Sequence, residues 1–168
     1  MKLTEQFLEE LDREAAITRR VLAEVPEGHL DYKPHEKSMP FGYLCVLTAI
    51  IVSWIDMIIN LPELDIAPAT PRQKPPDAKN ADDLIKALDD AVAKARAALE
   101  ATSDEHLHTE WKMLARGNVV QVSPRYLFIQ ESVFNHLAHH RGQLSVYLRL
   151  LDAKVPSIYG PSADQPIK

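Results

Sequence analysis

Polar and apolar positions alternate with a helical period in four stretches of the chain. From Leu3 to Leu22, Phe7, Leu8, Leu11, Ala15, Thr18 and Leu22 form an inward stripe, while Glu9, Glu10, Asp12, Arg13, Arg19 and Arg20 mark the wet side. Pro26 ends this helix, and PEGHLDYKPHEKSM reads as a loop from its Pro, Gly and charge content. A second helix starts near Ser38 to Pro40 and runs to about Asn60. It is apolar around much of its circumference, which predicts the most buried element. One face carries Tyr43, Leu44, Leu47, Ile50, Ile51, Trp54 and Met57, and its only charge, Asp56, reads as a surface residue.

Leu61 to Lys79 contains Pro62, Pro68, Pro71, Pro75 and Pro76 and reads as a semi-rigid linker. The third helix follows, with Asn80 as its cap, Asp82 and Asp83 in its first turn, and a stripe of Leu84, Leu88, Val92, Ala95 and Leu99. Ser103 to Val122 is a second connection, in which Trp111–Leu114 and Val119–Val122 can pair as short strands across a turn at Gly117-Asn118. The fourth helix is predicted from Ser123 to Asp152, with Ser123 as cap and Pro124 at the first helical position. Its stripe is Tyr126, Ile129, Val133, Leu144, Tyr147 and Leu151. A tail without helical pattern follows from Ala153. The expected fold is all-α, a four-helix bundle with long connections, as a single domain over residues 1–168.

A chain of 168 residues can bury about 70% of its unfolded surface. The net charge of −5, with no basic patch, argues against a nucleic-acid partner. The single cysteine, Cys45, excludes an internal disulfide and fits a reducing compartment. The amino-terminal MKLTEQFLEELDREAA carries acids where a signal peptide has an apolar core. The most apolar run, Tyr43 to Leu61, contains Ser53, Asp56 and Asn60, which favours a buried bundle helix over a membrane span. The composition is that of a soluble cytoplasmic protein with no membrane partner.

Candidate chemistry sits in the middle of the fourth stripe. His136 and His140 stand where two apolar residues would be expected, four apart and on one helix face. Ile129, Val133, Gln143 and Tyr147 project near the same direction. Two imidazoles one turn apart can offer nitrogens to one metal ion. They can equally be core histidines satisfied by backbone or carboxylate partners, and both readings are open at this level. His139 and Arg141 fall off that face, toward solvent, a carboxylate or another subunit. His29, His35, His106 and His108 fall in predicted loops, where solvation is the default. No glycine-rich phosphate loop, CxxC, HExxH or GxSxG is present. Of the two Glu-x-x-His pairs a di-iron bundle needs, only Glu105–His108 has the spacing.

Several segments, in order, are similar to the DinB/YfiT-like family. They include Val25-Pro26-Glu27, Leu30-Asp31-Tyr32-Lys33-Pro34, Lys37-Ser38-Met39, Gly42-Tyr43-Leu44, Trp54, Trp111 to Leu114, Gly117 and Ser123-Pro124-Arg125. More specific are the segment Asn135 to Leu144 (NHLAHHRGQL) and the segment Val155 to Asp164 (VPSIYGPSAD). The resemblance spans nearly the whole chain. It implies a four-helix bundle, often a homodimer, and a divalent metal (zinc or nickel) held by three histidines. Two of these carry over onto His136 and His140. The third, expected from the second helix, falls on Leu47, and Cys45, Thr48 and Tyr43 are poor replacements for it.

Two functions follow from that resemblance. In the first, the protein is a metal-dependent transferase or isomerase acting with a low-molecular-weight thiol. His136 and His140 are then metal ligands, Gln143, Tyr147 and Trp54 are pocket candidates, and no general base can be named. In the second, the bundle binds no metal, Leu47 extends the apolar core, and the protein serves as a non-catalytic binding or interaction module. A small-molecule ligand or thiol is the expected partner.

Overall fold

A computed structural model describes residues 2–68 and 77–166. Helix α1 spans Leu3–Leu22 and α2 spans Phe41–Ile50. A tight turn of narrower helix, Ile51–Ser53, leads into α3, Trp54–Asn60. Helix α4 covers Ala81–Ala101 and α5 is a short turn, Asp104–Leu107. The last long helix has three parts: α6 (Arg125–Phe128), a wider-wound π segment (Ile129–Asn135) and α7 (His136–Leu150). The bundle is made by α1, α2 with α3, α4, and the α6–α7 unit, whose buried side chains form one apolar cluster.

The stripes explain the packing. On α1, Phe7, Leu11, Ala15, Thr18 and Leu22 are buried, joined by Ile17 and Val21. Asn80 caps α4 by accepting a hydrogen bond from the Asp83 amide at 2.9 Å, and Leu84, Leu88, Ala95 and Leu99 face inward. The apolar stretch Phe41–Asn60 is long enough to cross a membrane by length and composition, and here it packs against α4 and α7 inside the bundle. Its face is rotated from the one expected. Tyr43 is 51% exposed and Leu47, Ile50, Trp54 and Met57 are half-buried; of the expected face only Leu44 and Ile51 are among the deepest positions, with Phe41, Cys45, Thr48, Ala49, Val52 and Ile55. The tight turn resets the phase between α2 and α3. There the Ser53 hydroxyl donates to the Ile50 carbonyl at 2.7 Å.

The fold is helical but not all-α. Strands β1 (Glu63–Asp65), β2 (Glu110–Ala115) and β3 (Asn118–Pro124) form a sheet in that order. β2 and β3 are the predicted hairpin, extended at both ends and shifted by one residue at its turn. Ala115 pairs with Asn118, so Arg116 and Gly117 are the two turn residues, both with positive φ. β1, read from sequence as linker, pairs parallel to β2, Glu63 opposite Lys112. Its Asp65 carboxylate accepts from the Arg116 and Gly117 amides at 3.1 and 2.7 Å, tying the turn to the strand. The part of the expected linker containing Pro71, Pro75 and Pro76 lies outside the described residues.

The sheet also moves the start of the last helix. Ser123 and Pro124 pair with Trp111 and Glu110, so Ser123 makes no cap. The helix begins at Arg125, whose amide donates to the Thr109 carbonyl at 3.0 Å. The Arg125 side chain, buried and with its pKa lowered by that burial, reaches back to the end of α3. It donates to the Ile58 carbonyl and, at 3.1 Å, to that of Leu61. His106 Nε2 donates to the Ile59 carbonyl at 2.9 Å and Trp111 Nε1 to Leu61 at 3.0 Å. The carbonyls that end a helix are thus satisfied by side chains from the second connection. His106 is therefore half-buried and bonded rather than a solvated loop residue, and His108, at the end of α5, bonds the Asp104 carbonyl at 2.7 Å.

Candidate functional site

The π segment delivers His136 and His140 to the interior side of the bundle. His136 is half-buried and His140 is 4% exposed. Their Nε2 atoms lie 2.7 Å apart. His136 Nδ1 lies 3.3 Å from the Ser132 carbonyl, and His140 Nδ1 lies 2.8 Å from Gln143 Oε1.

One arrangement of protons satisfies these partners with both rings neutral. A carbonyl only accepts, so His136 Nδ1 carries hydrogen and its Nε2 is the acceptor for the Nε2–H of His140. A neutral His140 then needs a donor at Nδ1, and a 180° rotation of the Gln143 carboxamide supplies its NH2 there. Neutral rings agree with the environment. Burial lowers the pKa of both histidines, and the neighbouring His139 pushes each in the same direction.

On its outer side the His136 ring meets Trp54, with ring centroids 5.5 Å apart. Both line an open groove of about 540 Å³, together with Ile66, Met113, Glu131, Ser132 and Asn135. A deeper cavity of about 210 Å³ shares Trp54, Ile66, Met113 and Ser132 and extends to Met57, Ile58, Leu64 and Trp111. Of the pocket candidates from sequence, Trp54 lines the groove. Gln143 orients His140 instead. Tyr147 packs between Tyr32 and Phe41 and donates to the Met39 carbonyl at 3.0 Å. Sequence reasoning missed Ile66 and Met113, because they reach the groove through the sheet.

The residues present do not fit a three-histidine metal centre. Catalytic zinc sites use three protein ligands, and among the described residues no group of three or more His, Cys, Asp or Glu side chains stands where it could hold an ion. Leu47, at the missing position, packs half-buried against the apolar core. Cys45 is fully buried, and burial pushes its thiol up to about 12. The Thr48 hydroxyl donates to the Leu44 carbonyl at 2.8 Å, and Tyr43 is exposed.

Beside His140, Arg141 is fully buried and, of the partners expected for it, meets a carboxylate. It donates to the Glu14 carboxylate at 2.5 Å, to Thr18 Oγ1 at 3.0 Å, to the Glu14 carbonyl at 3.2 Å and to the Tyr159 hydroxyl. Tyr159 donates to Glu14 Oε2 at 2.7 Å, which brings the carboxy-terminal tail onto α1. Glu14 shows on the sequence as an acid on the Phe7–Leu11–Thr18 stripe, and that mismatch was the available signal.

A helical bundle closed at one end by a three-stranded sheet, with a histidine pair on its last helix, defines the class. The chain belongs to the DinB family, whose sequence profile matches residues 1–167. It is similar to a crystal structure of a DinB-like protein from Bacillus subtilis (21% identity, TM-score 0.68), covering 97% of this chain and 99% of that one. A DinB-like protein from Bacillus cereus gives 22% identity and TM-score 0.68, over 92% and 97%. A DinB-family structure from Exiguobacterium sibiricum gives 16% identity and TM-score 0.59, over 90% and 93%. At these identities the likeness concerns the fold alone. None of the curated proteins matches the chain.

Proposed function

We propose that this DinB-family protein is a metal-independent binding module that holds a small, largely apolar molecule in the groove lined by Trp54, His136, Ile66 and Met113. The observation that carries the reading is the 2.7 Å contact between His136 and His140. Each Nε2 is satisfied by the other ring, and His136, braced by His140, lines the groove beside an apolar floor of Trp54, Ile66 and Met113. Such a groove, mostly apolar with a few polar groups to orient a guest, is the usual form of a small-molecule site.

A second reading keeps both imidazoles as ligands to a divalent ion and makes the protein a transferase acting with a low-molecular-weight thiol. It is favoured by the two Nε2 atoms facing each other, and it needs a ligand from outside the chain. The test uses protein purified without a histidine tag. A neutral fluorescent probe, N-phenyl-1-naphthylamine, is titrated with and without chelator. Binding that survives chelation and is lost in Trp54→Ala supports the metal-independent module. Binding that requires added zinc or nickel overturns it.

A further inference from the structure

The groove has a polarity along its length. Its inner end, the cavity reaching Ile58 and Trp111, is lined by apolar side chains apart from Ser132. Its outer end carries Asn135 and one formal charge, the exposed carboxylate of Glu131. No lysine or arginine lines either space, and Glu131 makes no ion pair among the described residues. His136, the other titratable group on the wall, already uses both ring nitrogens. Trp54, half-buried between the two spaces, presents an indole, the aromatic ring best suited to attract a cation.

Resting on the groove reading above, we infer that the ligand class is an organic amine with a flat or extended apolar body. Its ammonium group meets Glu131 at the mouth, and its apolar end lies past Trp54 toward Trp111. Charge complementarity selects this class. An anionic guest would set its charge against Glu131 with no cation on the wall to offset it, while a neutral guest would leave the carboxylate unused.

The experiment compares three probes of one shape by calorimetric titration: phenethylamine, 2-phenylethanol and 3-phenylpropionate. The amine is expected to bind tightest, and Glu131→Gln to weaken it about fivefold, the scale of an exposed ion pair. The alcohol is expected to be unchanged in Glu131→Gln. Raising salt should weaken the amine and spare the alcohol. Glu131 is exposed, so its replacement leaves the core intact. Equal affinity for amine and alcohol, or tighter binding of the carboxylate, overturns the amine assignment and leaves the groove reading standing. If the neutral fluorescent probe and all three small probes fail to bind, the groove reading falls and this inference with it.

Discussion

Arg141 and Glu14 meet at 2.5 Å with side-chain exposures of 0% and 6%, joining α7 to α1 through a charged pair inside the bundle. Removing Arg141 strips the Glu14 carboxylate of its buried counter-charge and leaves it only the Tyr159 hydroxyl and the outlying Arg13. Arg141→Ala is therefore expected to cost about 3–5 kcal/mol of stability in urea unfolding. Arg141→Lys is expected to recover only part of it, because an ammonium cannot reproduce the guanidinium's several directed bonds.

The same cluster contributes to both limbs of the pH–stability curve, its alkaline share reduced by the 66% exposure of Tyr159. Burial alone would raise the Glu14 pKa, but hydrogen bonds from Arg141 and Tyr159 and the charges of Arg141 and Arg13 outweigh it and leave it lowered. Glu14 therefore contributes stability above its unfolded pKa, and that contribution is lost as pH falls through the lower folded value. Burial, then the bond to Glu14, raises Tyr159 to about 12. Its contribution is complete below the ordinary tyrosine pKa and is lost as pH climbs from there through about 12. Tyr159→Phe should flatten the alkaline limb and Glu14→Gln the acid limb in thermal melts across pH.

Leu47→His should raise affinity for zinc or nickel at least tenfold in calorimetric titration, by adding a third imidazole to His136 and His140. Whatever metal the native chain takes up is expected to be weak and abolished by His136→Ala. No gain from Leu47→His would show that residue 47 does not face the pair.

Asp65→Ala removes the acceptor for the Arg116 and Gly117 amides. Those two amides should exchange with solvent markedly faster, and the protein should lose about 1–2 kcal/mol of stability, the scale of one or two hydrogen bonds. Unaltered exchange at both would mean that β1 does not hold the turn.

Much of this architecture was legible in residue spacing. Phe7 to Leu22, Leu84 to Leu99 and the Asn80 cap repeat with a clear helical period, and the β2–β3 hairpin announces itself by its glycine and valines. The elements that escaped depend on distant partners. Ser123 looks like a cap until Trp111 pairs with it, and Glu63–Asp65 looks like linker until β2 lies beside it. The histidine pair was visible, but the groove beside it was not, since Ile66 follows β1 and Met113 lies on β2, and no local pattern encodes the β1–β2 pairing that brings them together. Arg141 met one of the partners its place off the histidine face allowed, a carboxylate. Its full burial was not legible, because Glu14 lies 127 residues earlier, on α1.

The carbonyls at the end of α3 carry a consequence for the order of folding. Their partners, His106, Trp111 and Arg125, lie 47 to 67 residues further along the chain. A nascent chain that has reached only Asn60 holds its most apolar stretch with neither those donors nor α4 to cover it. That segment is then the one most in need of protection during synthesis, and its last turn should be among the late structures to become resistant to proteolysis.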